Sequence, residues 1–196
     1  MAKSYGIDVS HWNRLTAIPE HRPEFVMMKL TEGVSFIDSA YKSHIDICED
    51  MLIPYGFYHY ARAEKNDAKK EAEFFVSQIP AHAMPHCVLA LDFEGKSLSL
   101  TSVDAWAALF LKRVEELTHK KPLLYCSQSV VKRFPMVAHS GYGLWVARYR
   151  NTLLGPGDIR PWKFAAIWQY TSKPIDKDIF YGSVKQFRKY GEQKNV

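Results

Sequence analysis

The sequence predicts an α/β protein: an incomplete (β/α) barrel with eight strands and with helices mainly around its first half. Apolar, β-branched and aromatic stretches alternate with stretches of helical periodicity, a pattern typical of strand–helix–strand crossovers in a parallel sheet. Eight candidate strands are enough to close a barrel. The chain has 196 residues, whereas a complete eightfold barrel averages about 250, and the shortage falls where the last helices would be. An open doubly wound sheet is the alternative architecture.

The first half of the chain supplies five strands and the helices between them. Pro54 ends the first helix, and Asn66 or Asp67 is suited to cap the second. Thr101 or Ser102 is suited in the same way to cap the longest helix. The predicted strands are 5–10, 25–31, 55–61, 86–93 and 122–127, and the predicted helices are 40–51, 66–79, 103–118 and a short one at 129–134. Each step from strand to strand through a helix leaves the two strands parallel.

The second half of the chain is predicted to contain strands without helices between them. Strand patterns occur at 144–149, 164–170 and 176–181. The intervals 150–163 and 171–175 contain Gly or Pro and no amphipathic helical pattern. Because no repeat, low-complexity tract or flexible linker interrupts the chain, residues 1–196 are predicted to form a single domain.

The charge balance is basic, with 26 Lys and Arg residues against 21 Asp and Glu residues and a net charge of +5. Such a balance favours encounter with a nucleic acid, an anionic membrane surface or an anionic cell wall, although ordinary solubility charge explains it equally well. A nucleic-acid-binding surface needs clustered basic residues, and here they are spread along the chain. We therefore expect no nucleic-acid partner.

The sequence lacks targeting, membrane-spanning and metal-binding patterns. No apolar run approaches the roughly 18 residues of a membrane span, and the N-terminus lacks the apolar core of a signal peptide. His82 and His86 have a spacing seen in metal sites, but Pro85 breaks the helix that such a pair requires. We therefore expect no metal, no cofactor and no stable membrane insertion.

The clearest chemical pattern lies at the end of the fourth predicted strand, where Asp92 and Glu94 follow a run of apolar residues. In parallel β/α folds the reactive groups gather at the C-terminal ends of the strands. Residues two apart in a strand point to the same face and lie about 6.6–7 Å apart, so both carboxyls are expected on one side of the barrel mouth. Two carboxylates in a low-dielectric cleft do not ionise together easily, and a glycosidase needs one protonated acid beside one carboxylate. A strand that becomes polar as it reaches solvent is the alternative explanation.

Two further acids are predicted to join this pair. Asp8 lies between Ile7 and Val9 in a strand otherwise suited to burial. Asp176 opens the last predicted strand, and the first and last strands are neighbours in a closed barrel. We therefore expect Asp8 and Asp176 to flank the same cleft as Glu94 and to hold it protonated toward neutral pH. A structural role for Asp8, as an anchor for a neighbouring loop, is the alternative.

Aromatic side chains recur at the predicted strand ends. Tyr and Trp rings suit a groove in which sugars stack, while core filling is the alternative for part of the set. The aromatic residues at these positions are Tyr58, Tyr60, Tyr125, Trp145, Tyr149, Trp168 and Tyr170.

Through these residues the chain resembles the family 25 glycoside hydrolases, the ch-type lysozymes that cleave bacterial peptidoglycan. The order and spacing of the resembling segments cover nearly the whole chain. The segments are YGIDVSHW (5–12), KLTEG (29–33), GFYHY (56–60), ALDFE (90–94), LWVARY (144–149), IWQY (167–170) and IDKDIFYG (175–182). The resemblance implies a flattened, incomplete (β/α) barrel of eight strands with few helices.

The resemblance also implies roles for the residues at matching positions. Glu94 matches the family's proton donor and Asp92 its partner carboxylate, while Asp8 and Asp176 match two further acids of its cleft. The expected substrate-binding residues are Tyr58, Tyr125, Trp145 and Gln169, which fall where the family lines its sugar subsites, and Tyr149 from the aromatic set. One departure is the stretch Asp176-Lys177-Asp178, where the family commonly has Asp-x-Asn, so that an extra acid lies near the site.

The activity that the resemblance implies is hydrolysis of the β-1,4 bond between N-acetylmuramic acid and N-acetylglucosamine in peptidoglycan, with net retention. Glu94 would protonate the glycosidic oxygen, and Asp92 would stabilise either an oxocarbenium-like centre or the substrate's own 2-acetamido group. A catalytically silent peptidoglycan-binding module on the same fold is the alternative. We expect a monomer without an appended cell-wall-binding module. It would be made in the cytoplasm and released to the cell wall by a holin, as for a phage endolysin, or by another non-classical route.

Overall fold

A computed structural model describes residues 2–149 and 155–190, and its framework is a single mixed sheet whose two ends meet. Within these residues the strands are β1 (Ser4–Val9), β2 (Phe25–Glu32), β3 (Phe36–Ile37), β4 (Tyr55–Tyr60), β5 (Val88–Asp92), β6 (Leu123–Ser127), β7 (Gly143–Ala147), β8 (Ile167–Thr171) and β9 (Lys177–Phe180). The order around the sheet is β1-β9-β8-β7-β6-β5-β4-β2, and pairing of β1 with β2 closes it into a barrel. The short β3 pairs with the end of β2 as an added hairpin strand. The predicted eight-stranded barrel is confirmed.

Helices lie mainly around the first half of the barrel, as predicted. The described residues form α1 (Ala17–His21), α2 (Tyr41–Asp50), α3 (Ala68–Gln78), α4 (Val103–Thr118), α5 (Pro135–His139) and α6 (Val184–Arg188), with 3₁₀ turns at Gly95–Ser99 and Val131–Arg133. Between β7 and β9 the described part of the chain contains no helix. None of the helices in residues 2–149 and 155–190 has the length and apolar character of a membrane-spanning segment.

The caps of the two long helices differ from one another. The Asp67 side chain accepts hydrogen bonds from the backbone N–H groups of Lys69 and Lys70, so one of the two expected caps begins α3. Ser102 precedes α4, but its side chain makes no cap hydrogen bond. The predicted helix at 129–134 is wrong in detail: a 3₁₀ turn occupies its end, and α5 begins only at Pro135, because proline is favoured in the first turn of a helix.

The expectation of an all-parallel sheet is wrong at the last strand. Strand β9 runs antiparallel to both of its neighbours, β8 and β1. A parallel connection needs a crossover of about a dozen residues, and the chain between Thr171 and Lys177 is far too short for one. As a result, the start of β9 lies at the barrel edge where the parallel strands end. This edge therefore receives Asp176, which directly precedes β9, as well as the C-terminal ends of β5 and β8.

The buried apolar residues form two layers, one inside the barrel and one between the sheet and the helices. On β5, Val88 and Ala90 belong to the interior layer, whereas Leu89 and Leu91 belong to the layer between the sheet and the helices. This alternation is the ordinary consequence of the two-residue period of a strand. Asp92 continues the interior column at the C-terminal edge. Packing of the apolar residues thus determines which way the acid faces.

A buried polar cluster fixes α3 to the outside of β4. His59 and Glu71 are fully buried, and the His59 Nε2 atom lies 2.8 Å from the Glu71 carboxyl. Thr31 Oγ1 lies 2.8 Å from the other ring nitrogen, Nδ1. Burial lowers the pKa of His59, so we assign a neutral ring that donates to Glu71 and accepts from Thr31. Glu71 also accepts from the Arg62 backbone N–H and the Asn66 side-chain amide.

We expect replacement of Glu71 by alanine to lower the free energy of unfolding by about 3–5 kcal/mol, because it removes the acceptor of several buried donors. Urea denaturation would measure the loss. Glu73→Ala is the matched control on the same helix, since Glu73 is an exposed residue paired with Arg113 at the surface. Its unfolding free energy should change much less, and equal losses in the two variants would contradict the role assigned to Glu71.

Candidate active site

All nine residues expected in the site line one cavity of about 180 Å³ at the C-terminal edge of the barrel. They are Asp8, Tyr58, Asp92, Glu94, Tyr125, Trp145, Tyr149, Gln169 and Asp176. Two larger clefts, of about 480 and 490 Å³, surround Phe164 and Tyr181, and the described residues that line them include no carboxyl group. Two others, of about 270 and 410 Å³, include one carboxyl each, Glu49 and Glu20. The small cavity is the one that brings four carboxyls together.

The backbone after β5 places Asp92 and Glu94 at the cavity. Asp92 is the last residue of β5 and is 7% exposed, whereas Glu94 is half-buried. Gly95 follows with φ +57, and a Cβ atom on it would lie 2.4 Å from the Tyr60 hydroxyl oxygen. Only glycine fits that conformation and that contact without strain. The chain can therefore turn away directly after Glu94 and leave this side chain facing the cavity.

Burial controls the protonation of the Asp92–Glu94 pair. Burial, followed by the charge of Glu94, raises the pKa of Asp92 well above its usual value. Burial and the charge of Asp176 raise the pKa of Glu94. One oxygen of Asp92, Oδ1, is buried and receives no hydrogen bond from a described residue, which further disfavours its ionised form. The pair therefore keeps a proton toward neutral pH, as expected for carboxyls in a low-dielectric cleft.

Two charged side chains besides Asp92 act on the protonation of Glu94. Asp176 raises the pKa of Glu94, the direction expected from the sequence, whereas Lys29 lowers it. The pKa of Asp176 is itself raised by burial. Asp176 and Lys29 therefore act on Glu94 in opposite directions.

Gln169 is the centre of a hydrogen-bond network that connects the acids to the aromatic residues. Its Nε2 atom donates to Asp8 Oδ2 at 2.7 Å. Its Oε1 atom accepts from the hydroxyls of Tyr125 and Tyr149, each at 3.0 Å. Burial raises the pKa of both tyrosines, that of Tyr149 to about 12, so their hydroxyls keep the proton that they donate. The network fixes the orientation of the amide and makes Asp8 Oδ2 an acceptor.

The aromatic wall of the cavity is formed by three buried rings. Trp145 lies edge-on to Tyr125, with ring centroids 4.7 Å apart, and edge-on to Tyr58, at 5.9 Å. The Trp145 Nε1 atom donates to Asp178 Oδ1 at 2.8 Å. Asp178 is fully buried and does not line the cavity. The extra acid noticed in the sequence therefore lies behind the wall, where it supports Trp145.

Lys29 does not line the cavity but acts on its acids, and sequence reasoning assigned it no role. It is only 8% exposed, and its Nζ atom donates to Glu32 at 2.7 Å and lies 4.8 Å from the centre of the Tyr60 ring. Its charge lowers the pKa of Asp92 and of Glu94. The available signal was a lysine in the middle of an otherwise apolar strand, because such a residue is rarely buried without a partner.

Comparison with known proteins identifies the family. The profile of "Glycosyl hydrolases family 25" matches residues 7–179. A family GH25 lysozyme from Aspergillus fumigatus has a similar structure, with a TM-score of 0.81, 25% identity, and coverage of 98% of this chain and 100% of the other. Lysozyme M1 of Streptomyces globisporus is 26% identical over 91% of this chain and 68% of its own. The lysozyme of Streptococcus phage Cp-1 is 25% identical over 78% of this chain and 45% of its own.

The profile match spans strands β1 to β9 almost completely. The similarity to the Aspergillus fumigatus lysozyme covers the whole barrel, including the strands that carry the acids of the cavity. The chain belongs to glycosyl hydrolases family 25, and it is a glycosidase of the lysozyme type.

Proposed function

We propose that this protein hydrolyses the β-1,4 bond between N-acetylmuramic acid and N-acetylglucosamine in peptidoglycan. The observation that carries the proposal is the Asp92–Glu94 pair, a deeply buried and a half-buried carboxyl on one barrel edge whose pKa values are both raised. A lysozyme needs a carboxylic acid that is still protonated near neutral pH beside a second carboxyl group. The family supplies the substrate class, since relatives are lysozymes.

Glu94 is the proton donor in this proposal. It is the more exposed member of the pair and faces the cavity, so a glycosidic oxygen can reach it. It would protonate the leaving oxygen as the bond breaks and then accept a proton from the attacking water. Burial and the nearby charge of Asp176 both favour the protonated form that the first step requires.

Asp92 would stabilise the positive charge that develops on the sugar as the bond breaks. It would act either on an oxocarbenium-like centre or on the substrate's 2-acetamido group as that group attacks. Lys29 opposes the burial effect on both acids, because its charge lowers the pKa of Asp92 and of Glu94. Asp8 and Asp176 complete the acidic lining of the cavity.

The remaining residues of the cavity would hold the sugars. Tyr149 is 54% exposed and offers an accessible ring face, whereas Tyr58, Tyr125 and Trp145 are buried and form the aromatic wall. Gln169 is anchored by its contacts with Asp8 and the tyrosines. A rigid amide and rigid rings bind a sugar at low entropic cost.

We propose that residues 1–196 act as one catalytic domain, as a monomer, on the cell wall and without a nucleic-acid partner. The continuous sheet, in which the first and last strands pair directly, supports the single domain. Phage lysozymes among the relatives support action on the wall. Release by a holin or another non-classical route stays a prediction from the sequence.

The alternative function is a peptidoglycan-binding module without catalysis. The presence of all four acids in one cavity favours the enzyme. A turbidity assay on purified cell walls distinguishes the two functions, because an enzyme clears the suspension whereas a pure binder sediments with the walls and leaves them intact.

Glu94→Gln should lower the rate of wall clearing by about 10²–10⁴-fold, because glutamine keeps the shape but has no acidic proton to transfer. Sedimentation with walls and the melting temperature should stay near those of the wild type. Glu116→Gln, the same change at a half-exposed position on α4, should clear walls normally. Clearing by Glu94→Gln at the wild-type rate would assign the acid to another residue.

Asp176→Asn should move the basic limb of the pH–rate profile to lower pH. Asp176 raises the pKa of Glu94 through its negative charge, so its removal lets Glu94 lose the catalytic proton earlier as the pH rises. Initial rates of wall clearing across a pH series would measure the shift. A basic limb at the wild-type position would show that Asp176 does not act on the acid.

Clearing of intact walls should become slower as the salt concentration rises above about 0.15 M, where the Debye length falls to near 8 Å. The net charge of +5 would then attract the enzyme less strongly to anionic wall polymers. Cleavage of a small uncharged oligosaccharide, measured in parallel, should depend little on salt. Equal salt sensitivity on both substrates would place the effect in the enzyme rather than in its attraction to the wall.

A further inference from the structure

Asp178 is a buried carboxyl that the proposed mechanism does not use. It is the second residue of β9, is fully buried, and pairs across the sheet with Gly6 on β1 and Gln169 on β8. Burial without a counterion is costly for a carboxylate, so the position of Asp178 requires an explanation.

The contacts of Asp178 leave one of its oxygens to a second carboxyl. Trp145 Nε1 donates to Oδ1, whereas Oδ2 is buried and receives no hydrogen bond from an N–H or hydroxyl group of a described residue. Asp8 lies two residues beyond Gly6 on β1, so it is diagonally opposite Asp178 on the same face of the β1–β9 pair, and the two carboxyls act on each other. A hydrogen bond between the two carboxyls requires that one of them carries a proton.

Asp8 transmits this contact to the cavity. Its Oδ2 atom accepts from Gln169, and the Gln169 amide cannot turn round without losing the hydroxyl donors Tyr125 and Tyr149. The facing pair Asp178 and Asp8 therefore connects two groups of hydrogen bonds, that of Trp145 to Asp178 and those that join Asp8 through Gln169 to two tyrosines of the cavity.

The charges around Asp178 favour retention of the proton. Asp8 faces it from β1, and Asp176, directly before β9, acts on it through its negative charge. The charge of Asp178 in turn raises the pKa of Tyr170 on β8. Strand β7 presents the neutral Trp145. Lys177 is next in sequence, but adjacent strand residues point to opposite faces. Burial raises the pKa of Asp178 to about 7 and that of Asp8 well above its usual range.

We propose that Asp178 is a positioning residue that shares one proton with Asp8, and that this proton holds Asp8 and Gln169 in place at the cavity. The hydrogen bond between the two carboxyls exists only while the proton is present. When it is lost at higher pH, two carboxylates face each other in the barrel interior and repel. An amide at position 178 would donate the same hydrogen bond at every pH. The effect on catalysis rests on the proposed function, whereas the shared proton itself does not.

The shared proton predicts a pH-dependent stability that can be measured without an activity assay. The pKa values of both carboxyls are raised on folding, so the pair stabilises the folded state below the ordinary pKa, near 3.8, and this stability is lost as the pH rises through the two folded values, of which that of Asp178 is about 7. Asp178→Asn removes this group and keeps its shape. The melting temperature of the variant, relative to that of the wild type, should therefore increase by at least about 2 °C between pH 4 and pH 8.

Asp46→Asn is the matched control, because it removes one negative charge at an exposed position on α2. Its melting curve should stay parallel to that of the wild type. A constant offset between Asp178→Asn and the wild type at every pH would overturn the proposal. If Asp178→Asn does not fold, Asp8→Asn tests the same proton, since it removes the other half of the pair. A pH-independent offset in that variant overturns the proposal equally.

Activity provides the second measurement. In Asp178→Asn the basic limb of wall clearing should move to higher pH, which is opposite to the shift expected for Asp176→Asn. An unmoved limb would overturn the positioning role. If the wild type clears no walls at any pH, the proposed function fails, while the melting curves still decide whether the proton is shared.

Discussion

The cost of ionising several carboxyls in one enclosed space is the constraint on which this site depends. Asp8, Asp92, Glu94, Asp176 and Asp178 all lie at or behind one barrel mouth, and the pKa of each is raised mainly by burial. The positive charge of Lys29 lowers the pKa of Asp92 and of Glu94, but by less than burial raises them. A site built in this way retains protons that isolated carboxyls would lose, and those protons are what glycoside hydrolysis consumes and returns.

The direction of one strand makes this arrangement possible. If β9 ran parallel to β8, its first residues would lie at the opposite end of the barrel, away from Asp92 and Glu94. The antiparallel direction brings Asp176 to the cavity and Asp178 directly behind it. Because no helix lies between β8 and β9, the connection is short and β9 runs antiparallel to β8. The same feature therefore brings Asp176 and Asp178 to the site.

Much of this organisation could be predicted from sequence, and the failures have identifiable causes. Strands were predictable because their apolar residues repeat with the period of a buried sheet, and the acids were predictable because they interrupt or directly follow such runs. The direction of β9 was not, because alternation tells which face of a strand is buried but not which way the strand runs. Helices α1 and α6, of five residues each, are too short to show a helical period. The contacts of Asp178 and Lys29 depend on residues far away in sequence.

The closure of the barrel also has a consequence for how the protein folds during its synthesis. The hydrogen bond between Asp8 and Gln169 joins residues 161 positions apart. Strand β1 pairs with β2 on one edge, and its other edge can pair only with β9. While the chain emerges from the ribosome, one edge of β1 must therefore stay unpaired until β9 has been made. Contacts of such long sequence separation form late and slowly in folding. The cavity cannot exist in a nascent chain that lacks β9, so a cell that makes this protein meets its chemistry only after that strand has been synthesised.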